Sequence, residues 1–555
     1  STDELRKCLE SCEIRKQLRC QEIAKLKDFG CFVLRKFSQV PKGKGIRVFG
    51  HTWVDTAEKS RVVVQDLKVF AKHKELTTTP IVHSPTPRAI EHGIFDAYVA
   101  YYDYEAVYYD VVSAFPHADK REDNILVWPP AEYLEMFEKE NAEQHDPNDP
   151  FVWLMYGALY GRRNAGACFK DFQDEVMTEY GADGCPHAPC LWKKDKTLLL
   201  HHIDDGKVGG PREERDAMIG HLADYMLLKV SQPRKIGTII YQLGKHSLRT
   251  KKGHIIVPDR KHADAICQYM GVTAAPPIKK VMQPAVKRGR LSEAEQQLVD
   301  PERASTYRKV VGHALYLSLE DEKIAHTVGC LTKHLKAPRE ADWLDAKHLA
   351  KFLHFNKDSG IALEIDRSKP FGESKLVSDA SWADGEDDCR SCSGRRLKVN
   401  GYRVGFGTGV QPGLPALSSG EAELRAMSQG SCELLFGIHI LRWMGVKVNA
   451  IVANDASAAL ANARKLGPGR MRHVETQALF LKGLVRNGTV KLEKNTSKDN
   501  DADLHTKKLP AARFAELCKL IGVVKIDIAL YPTLELKRVN KITEIRSLAS
   551  KTVRA

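Results

Sequence analysis

The stretch Leu198-Leu199-Leu200-His201-His202-Ile203-Asp204-Asp205-Gly206-Lys207-Val208-Gly209-Gly210 sets two adjacent acids between apolar residues and a glycine. Leucine and isoleucine suit a buried strand, and Asp and Gly suit its turn, so the stretch reads as a hairpin with two carboxylates at its tip. Two readings of that tip stay open. Taken alone, Asp-Asp-Gly is most often an ordinary polar turn. Carboxylates are also hard oxygen ligands for Mg²⁺, and a rigid pair with a third acid nearby can hold two ions that clamp the attacking and leaving oxygens of a phosphoryl transfer. A third acid lies upstream in Tyr108-Tyr109-Asp110-Val111-Val112-Ser113-Ala114-Phe115, a β-prone run.

Composition narrows the class. A chain of 555 residues exceeds one hydrophobic core and should divide into several domains. A formal net charge of +14 suits a polyanionic partner, although surplus Lys and Arg also serve solubility. Thirteen cysteines scattered singly, with no signal peptide and no long uninterrupted apolar segment, fit a reduced intracellular protein with no membrane association, in the cytoplasm or the nucleus. Cys389 and Cys392, and the group Cys185, His187 and Cys190, have zinc-like local spacing. Neither group has a complementary pair, which argues against structural zinc.

Along the chain, Cys8 to Lys27 has apolar residues at helical intervals, and β-prone runs follow at Cys31–Leu34, Ile46–Phe49 and Ser60–Val64. Prolines at Thr79-Pro80 and Ser84-Pro85-Thr86-Pro87 precede a helix expected from Ala89 to Ala100. Glu138 to Asp149 is acidic and Asn-rich and reads as a surface loop. Arg162 and Arg163, after Gly161, form either a basic helix entrance suited to phosphate or a solvated turn. Lys287-Arg288-Gly289-Arg290 reads equally as a duplex contact or a soluble linker. A second set of acids begins at Leu376-Val377-Ser378-Asp379, a strand ending in a carboxylate. Ser418 or Ser419 can cap the helix that carries Glu421 and Glu423. Ile451-Val452-Ala453-Asn454-Asp455 is again a strand ending in an acid, and Asp503 follows in Asn500-Asp501-Ala502-Asp503.

In their order, these segments resemble the reverse transcriptase and RNase H region of copia-type long-terminal-repeat retrotransposon polyproteins. Asp110 with Phe115 resembles the family's Asp-Val-Lys-Thr-Ala-Phe, and Asp204-Asp205 its Tyr-Val-Asp-Asp, with His202 and Ile203 in place of Tyr and Val. Lys59-Ser60-Arg61-Val62-Val63 is similar to Lys-Ala-Arg-Leu-Val. Ala158-Leu159-Tyr160-Gly161 matches Ala-Leu-Tyr-Gly, with Asn164 and Gly166 where the family has Gln and Pro. Tyr241-Gln242-Leu243-Gly244 is similar to Tyr-Phe-Leu-Gly, and Tyr307 to Tyr316 and Pro338 to Trp343 match helical family segments. Asp379, Glu423, Asp455 and Asp503 fall on the family's Ser-Asp-Ala-Asp-Trp, Glu-Ala-Glu, Cys-Asp-Asn and Ala-Asp-Ile segments, and His473 on a family His.

The resemblance implies an α+β multidomain enzyme: a right-hand polymerase, a helical connection and an RNase H-like domain. The expected boundaries are 1–95 fingers entry, 96–235 palm with remaining fingers, 236–300 primer grip and thumb, 301–370 connection, 371–522 RNase H domain and 523–555 basic tail. It implies RNA-directed DNA polymerisation with RNase H cleavage, using two Mg²⁺ ions per site, with Mn²⁺ as an alternative. Asp110, Asp204 and Asp205 would serve one site and Asp379, Glu423, Asp455 and Asp503 the other, with Glu421 and His473 as lesser candidates. Lys59, Arg61, Phe115 and Asn164 would meet the nucleotide, Phe115 excluding a ribose 2′ hydroxyl, and Tyr241, Leu243 and Gly244 would grip the primer. The implied partners are an RNA template, a DNA primer, the RNA–DNA hybrid and deoxynucleoside triphosphates; oligomeric state is left open. The rival expectations are a decayed or domesticated nucleic-acid-binding protein, and an active RNase H beside a silent polymerase.

Overall fold

A computed structural model describes residues 2–40, 46–56, 58–66, 84–118, 125–141, 146–272, 280–385, 388–465, 476–533 and 536–538. Thr79-Pro80 and His473 lie outside them. The fold is mixed α/β, with fourteen helices and several sheets among the described residues.

The first acid-bearing sheet has seven strands, ordered Leu536–Arg538, Leu228–Ser231, Glu105–Val111, Asp205–Gly210, Thr197–His202, Leu191–Lys194 and Asp183–Gly184. Its central strands are covered on both faces, which is why Leu198-Leu199-Leu200 is continuously apolar rather than alternating. Val107, Tyr109, Val111, Leu199 and Val208 point into one core with Phe169, Met177 and Leu222 of the helices Ala165–Glu179 and Arg212–Tyr225. Ala106, Tyr108, Leu198 and Leu200 point the other way, into a core with Phe95. The period of two in the strand sorts these side chains between the faces.

The second acid-bearing sheet has five strands, ordered Tyr402–Val410, Cys392–Val399, Glu373–Ser381, Asn449–Asn454 and Lys491–Lys494. Its first three strands are antiparallel, and the last two run parallel to Glu373–Ser381. The helix Ser419–Trp443 lies across it, burying Leu424, Met427, Leu434 and Ile438.

One helix, Ala89–Tyr101, serves both sheets. Toward the first, Lys207 Nζ donates to Asp96 Oδ1 at 2.6 Å, a buried ion pair onto the hairpin. Toward the second, a Cβ on Gly93 would lie 2.5 Å from the Val404 Cα, so only glycine allows this approach. Both sheets therefore contribute to one continuous apolar core.

A buried ionic knot adds a further tie. Glu322, fully buried, takes two hydrogen bonds from Arg396 at 3.0 and 3.2 Å and has His505 Nε2 at 3.4 Å. Arg396 also donates to Asp501 Oδ2 at 2.8 Å. Burial raises the Glu322 carboxyl, but the guanidinium groups of Arg396 and Arg403 outweigh it and hold it well below the usual carboxylate range.

One local expectation changes. Part of the acidic stretch expected as a loop is helical, since Ala131–Asn141 continues through Glu138, Lys139 and Glu140, all good helix formers. The stretch read as a basic tail contributes strands: Val523–Lys525 pairs with Ser359–Glu364, and Leu536–Arg538 edges the seven-stranded sheet. Among the described residues no helix is long and apolar enough to cross a membrane.

Candidate functional site

The hairpin tip is built from strand register. His202 pairs with Asp205, leaving Ile203 and Asp204 as a two-residue turn, and Asp205 lies directly opposite Asp110 on the neighbouring strand. Ile203 has φ +58°, a left-handed conformation that a β-branched residue rarely adopts. Bonds on both sides hold it there: Gln173 Nε2 donates to the Ile203 carbonyl at 3.0 Å, and the Val111 N–H to the Asp204 carbonyl at 2.8 Å. Gly206 is required by its neighbour, since a Cβ would fall 2.1 Å from Tyr109 Cζ. The Tyr109 hydroxyl is in turn hydrogen-bonded to His201 Nδ1 at 2.5 Å.

Asp110 and Asp205 are partly buried, and Asp204 at the turn is exposed. Burial, then Asp204 and Asp110, push the Asp205 carboxyl up to about 6. Burial also raises Asp110, with Lys229 and, more weakly, Lys59 and Arg61 acting against it. Lys229, on the strand flanking Asp110 from the other side, has its Nζ 3.9 Å from Asp110 Oδ2. Sequence reasoning missed Lys229, because its approach depends on a long-range strand pairing.

Exposed Lys59 and Arg61 belong to the hairpin His51–Asp55 and Ser60–Val64. It docks onto the Tyr160-Gly161 turn: the Val64 N–H donates to the Tyr160 carbonyl at 2.8 Å, and a Cβ on Gly161 would meet the Val64 carbonyl at 2.2 Å. The Arg61 guanidinium sits over the Tyr160 ring at 4.9 Å, and Tyr160 meets Phe115 edge-on at 5.3 Å. Asn164 precedes the helix Ala165–Glu179 without capping it through its side chain. Leu243 and Gly244 form a second tight turn, both with positive φ, and Tyr241 donates to Asp259 Oδ2 at 2.6 Å. A cleft of 1910 Å³ runs from His202 and Leu243 to Trp382 and Lys507 of the second unit.

In the second unit, carboxylate oxygens of Asp379, Glu423 and Asp455 lie within 4.8 Å of one another, the one such group of ligand-type side chains among the described residues. The hairpin acids are not gathered this closely. Burial, then Asp379, push the Glu423 carboxyl up to about 8, and Asp379 is raised by burial first. Asn454 Nδ2 donates to Glu423 Oε2 at 2.9 Å, Asn500 Nδ2 to Asp379 Oδ1 at 3.1 Å and Ser497 Oγ to Asp455 Oδ2 at 2.8 Å. Three hard oxygen donors, two of them buried, with the Lys507 ammonium beside Asp379 as a close counter-charge, fit a Mg²⁺ or Mn²⁺ ion.

The other candidates stand apart from this trio. Asp503 Oδ1 accepts from Lys507 at 2.6 Å and Oδ2 from Arg513 at 3.1 Å. Glu421 faces its own helix, accepting from Arg425 at 2.6 Å and from the Leu417 N–H at 3.0 Å. The cysteine and histidine groups singled out for zinc-like spacing form no metal-type cluster among the described residues. Asn454, beside Asp455, and Lys507, four residues after Asp503, carried no separate signal in the sequence.

No family model matches the chain. It is 24% identical over 332 residues to the Pol polyprotein of transposon RE2 of Arabidopsis thaliana, covering 59% of this chain and 22% of that protein. It is 23% identical over 513 residues to the Pol polyprotein of transposon TNT 1-94 of Nicotiana tabacum, covering 88% of this chain and 36% of that one. The chain thus spans roughly a quarter to a third of the curated relatives it matches. A structure of a foamy viral protease-reverse transcriptase in complex with double-stranded DNA aligns with TM-score 0.44 and 10% identity, over 84% of this chain and 67% of that one. The chain is a homologue of the Pol polyproteins of copia-type transposons.

Proposed function

We propose that the chain is an RNA-directed DNA polymerase with RNase H activity, the seven-stranded unit acting as a polymerase palm and the Glu373–Lys494 sheet as an RNase H-like core. The observation that carries the polymerase reading is the strand register setting Asp205 against Asp110, with Asp204 at the adjoining turn. Bound divalent ions would supply charge neutralisation and activation of the attacking oxygen at each cluster. Asp110, Asp204 and Asp205 would hold them in one unit, and Asp379, Glu423 and Asp455 in the other.

The remaining roles belong to the chain's own side chains. Lys59 and Arg61 offset charge on an incoming triphosphate. Phe115, braced by Tyr160, sits under the sugar and disfavours a 2′ hydroxyl. Tyr241, Leu243 and Gly244 position the primer end, and the cleft holds the RNA–DNA hybrid.

Primer extension on an RNA template with Mg²⁺ and deoxynucleotides, run beside Asp204→Asn, tests this. Extension abolished by the substitution supports the polymerase; no extension by the unaltered chain sinks it. A second reading, RNA cleavage without polymerisation, is favoured by the close gathering of the Asp379 cluster alone. Hybrid-dependent cleavage that Asp379→Asn abolishes, from a chain that does not extend primers, is the outcome that selects it.

A further inference from the structure

The fourth acid of the second cluster is held by cations of the protein itself. Lys507 Nζ lies 2.6 Å from Asp503 Oδ1 and 3.1 Å from Asp379 Oδ2, so one ammonium bridges two carboxylates. Arg513 takes the other oxygen of Asp503 and is anchored elsewhere, donating to the carbonyls of Lys498 at 3.0 Å and Ser497 at 2.8 Å. Lys507 has no such anchor among the described contacts, and its side chain is 42% exposed. The guanidinium is fixed in place, whereas the ammonium is free to swing into the cleft, which Lys507 lines.

An ion shared by Asp379 and Asp503 would need the space between them, and the Lys507 ammonium lies there. Two like charges held near each other also need a counter-charge when no ion is bound, and this lysine provides it.

We propose that Lys507 is a built-in competitor for a second divalent ion at this cluster: its ammonium bridges Asp379 and Asp503 and must withdraw before those carboxylates take an ion in common. The inference rests on the reading of the acids as a metal centre. The first ion binds the Asp379, Glu423 and Asp455 trio, of which Lys507 touches Asp379 alone, and the second binds weakly, against the lysine on both of its carboxylates. Entry of nucleic acid into the cleft offers Lys507 phosphate oxygens in exchange, which couples substrate arrival to completion of the metal pair.

The test is calorimetric titration of the full chain with Mn²⁺ alone, in an Asp110→Asn/Asp204→Asn background so that the ions counted belong to this cluster. Lys507→Gln is expected to tighten the second binding event by about tenfold and the first by clearly less. Melting gives an independent readout. Without metal, Lys507→Gln should melt below its parent, and saturating Mn²⁺ should close the gap, whereas Arg513→Gln should keep its deficit with or without the ion. Unchanged binding constants in Lys507→Gln, or a melting gap that persists at saturation, overturn the proposal and leave Lys507 a structural tie. Absence of Mn²⁺ binding in both parent and variant overturns the metal-centre reading along with it.

Discussion

Gly206 and Glu423 show how much hangs on single positions. Gly206 lies beneath the Tyr109 ring, where any side chain would overlap it. Gly206→Ala is expected to cost about 1–3 kcal/mol in denaturant unfolding, with part recovered in Gly206→Ala/Tyr109→Val, where the ring is gone. Glu423 titrates near 8 in the folded chain because burial and Asp379 disfavour its charge. Its folded value lies above its unfolded value near 4.5, so between those two pH values the folded state binds the extra proton. Metal-free stability should therefore fall as pH rises from about 4.5 to 8, by a few kcal/mol on the order of the shift. Two measurements follow: Glu423→Gln should flatten that decline in melting temperature, and Mg²⁺ binding at pH 7 should release about one proton, read by calorimetry in buffers of different ionisation enthalpy.

At the level of elements, the hairpin was legible because its chemistry is local: leucines that suit a doubly covered strand, then acids and a glycine that suit a tight turn. The strands carrying the acids of the second cluster were legible for the same reason, although the first runs past Asp379 to Ser381 and the other stops one residue before Asp455. What the sequence could not display were pairings between distant segments. Nothing in Leu228–Ser231 says that Lys229 will face Asp110, and nothing in Leu536–Arg538 says that it will edge the same sheet. The capture of Asp503 by Lys507 and Arg513 is likewise invisible in a motif that lists acids without their counter-charges. The Glu322 knot belongs to this scale too, joining the Pro301–Ser318 and Ala325–Thr332 helical region to the Cys392–Val399 strand. Glu322→Gln leaves Arg396 and Arg403 short of a buried anion, and a loss of about 3–5 kcal/mol in thermal or denaturant unfolding is the expected result.

For the whole molecule, the question is whether the two acid-bearing sheets behave as one body. The helix Ala89–Tyr101 packs into a core common to both, so they are expected to unfold together. Calorimetry of the unaltered chain should show both sheets melting in one transition, whereas Gly93→Val, which forces a branched side chain against the Val404 backbone, should separate it into two. The net charge of +14 belongs to this scale as well, and binding to an RNA–DNA hybrid should weaken steeply as salt rises.

A strut common to both sheets has a mechanical meaning. A beam clamped at both faces lacks a pivot, so the span between the two acid clusters is expected to vary little as the molecule moves. Whatever lies along the cleft must supply the compliance itself, by bending or sliding, and its stiffness then decides how well it fits.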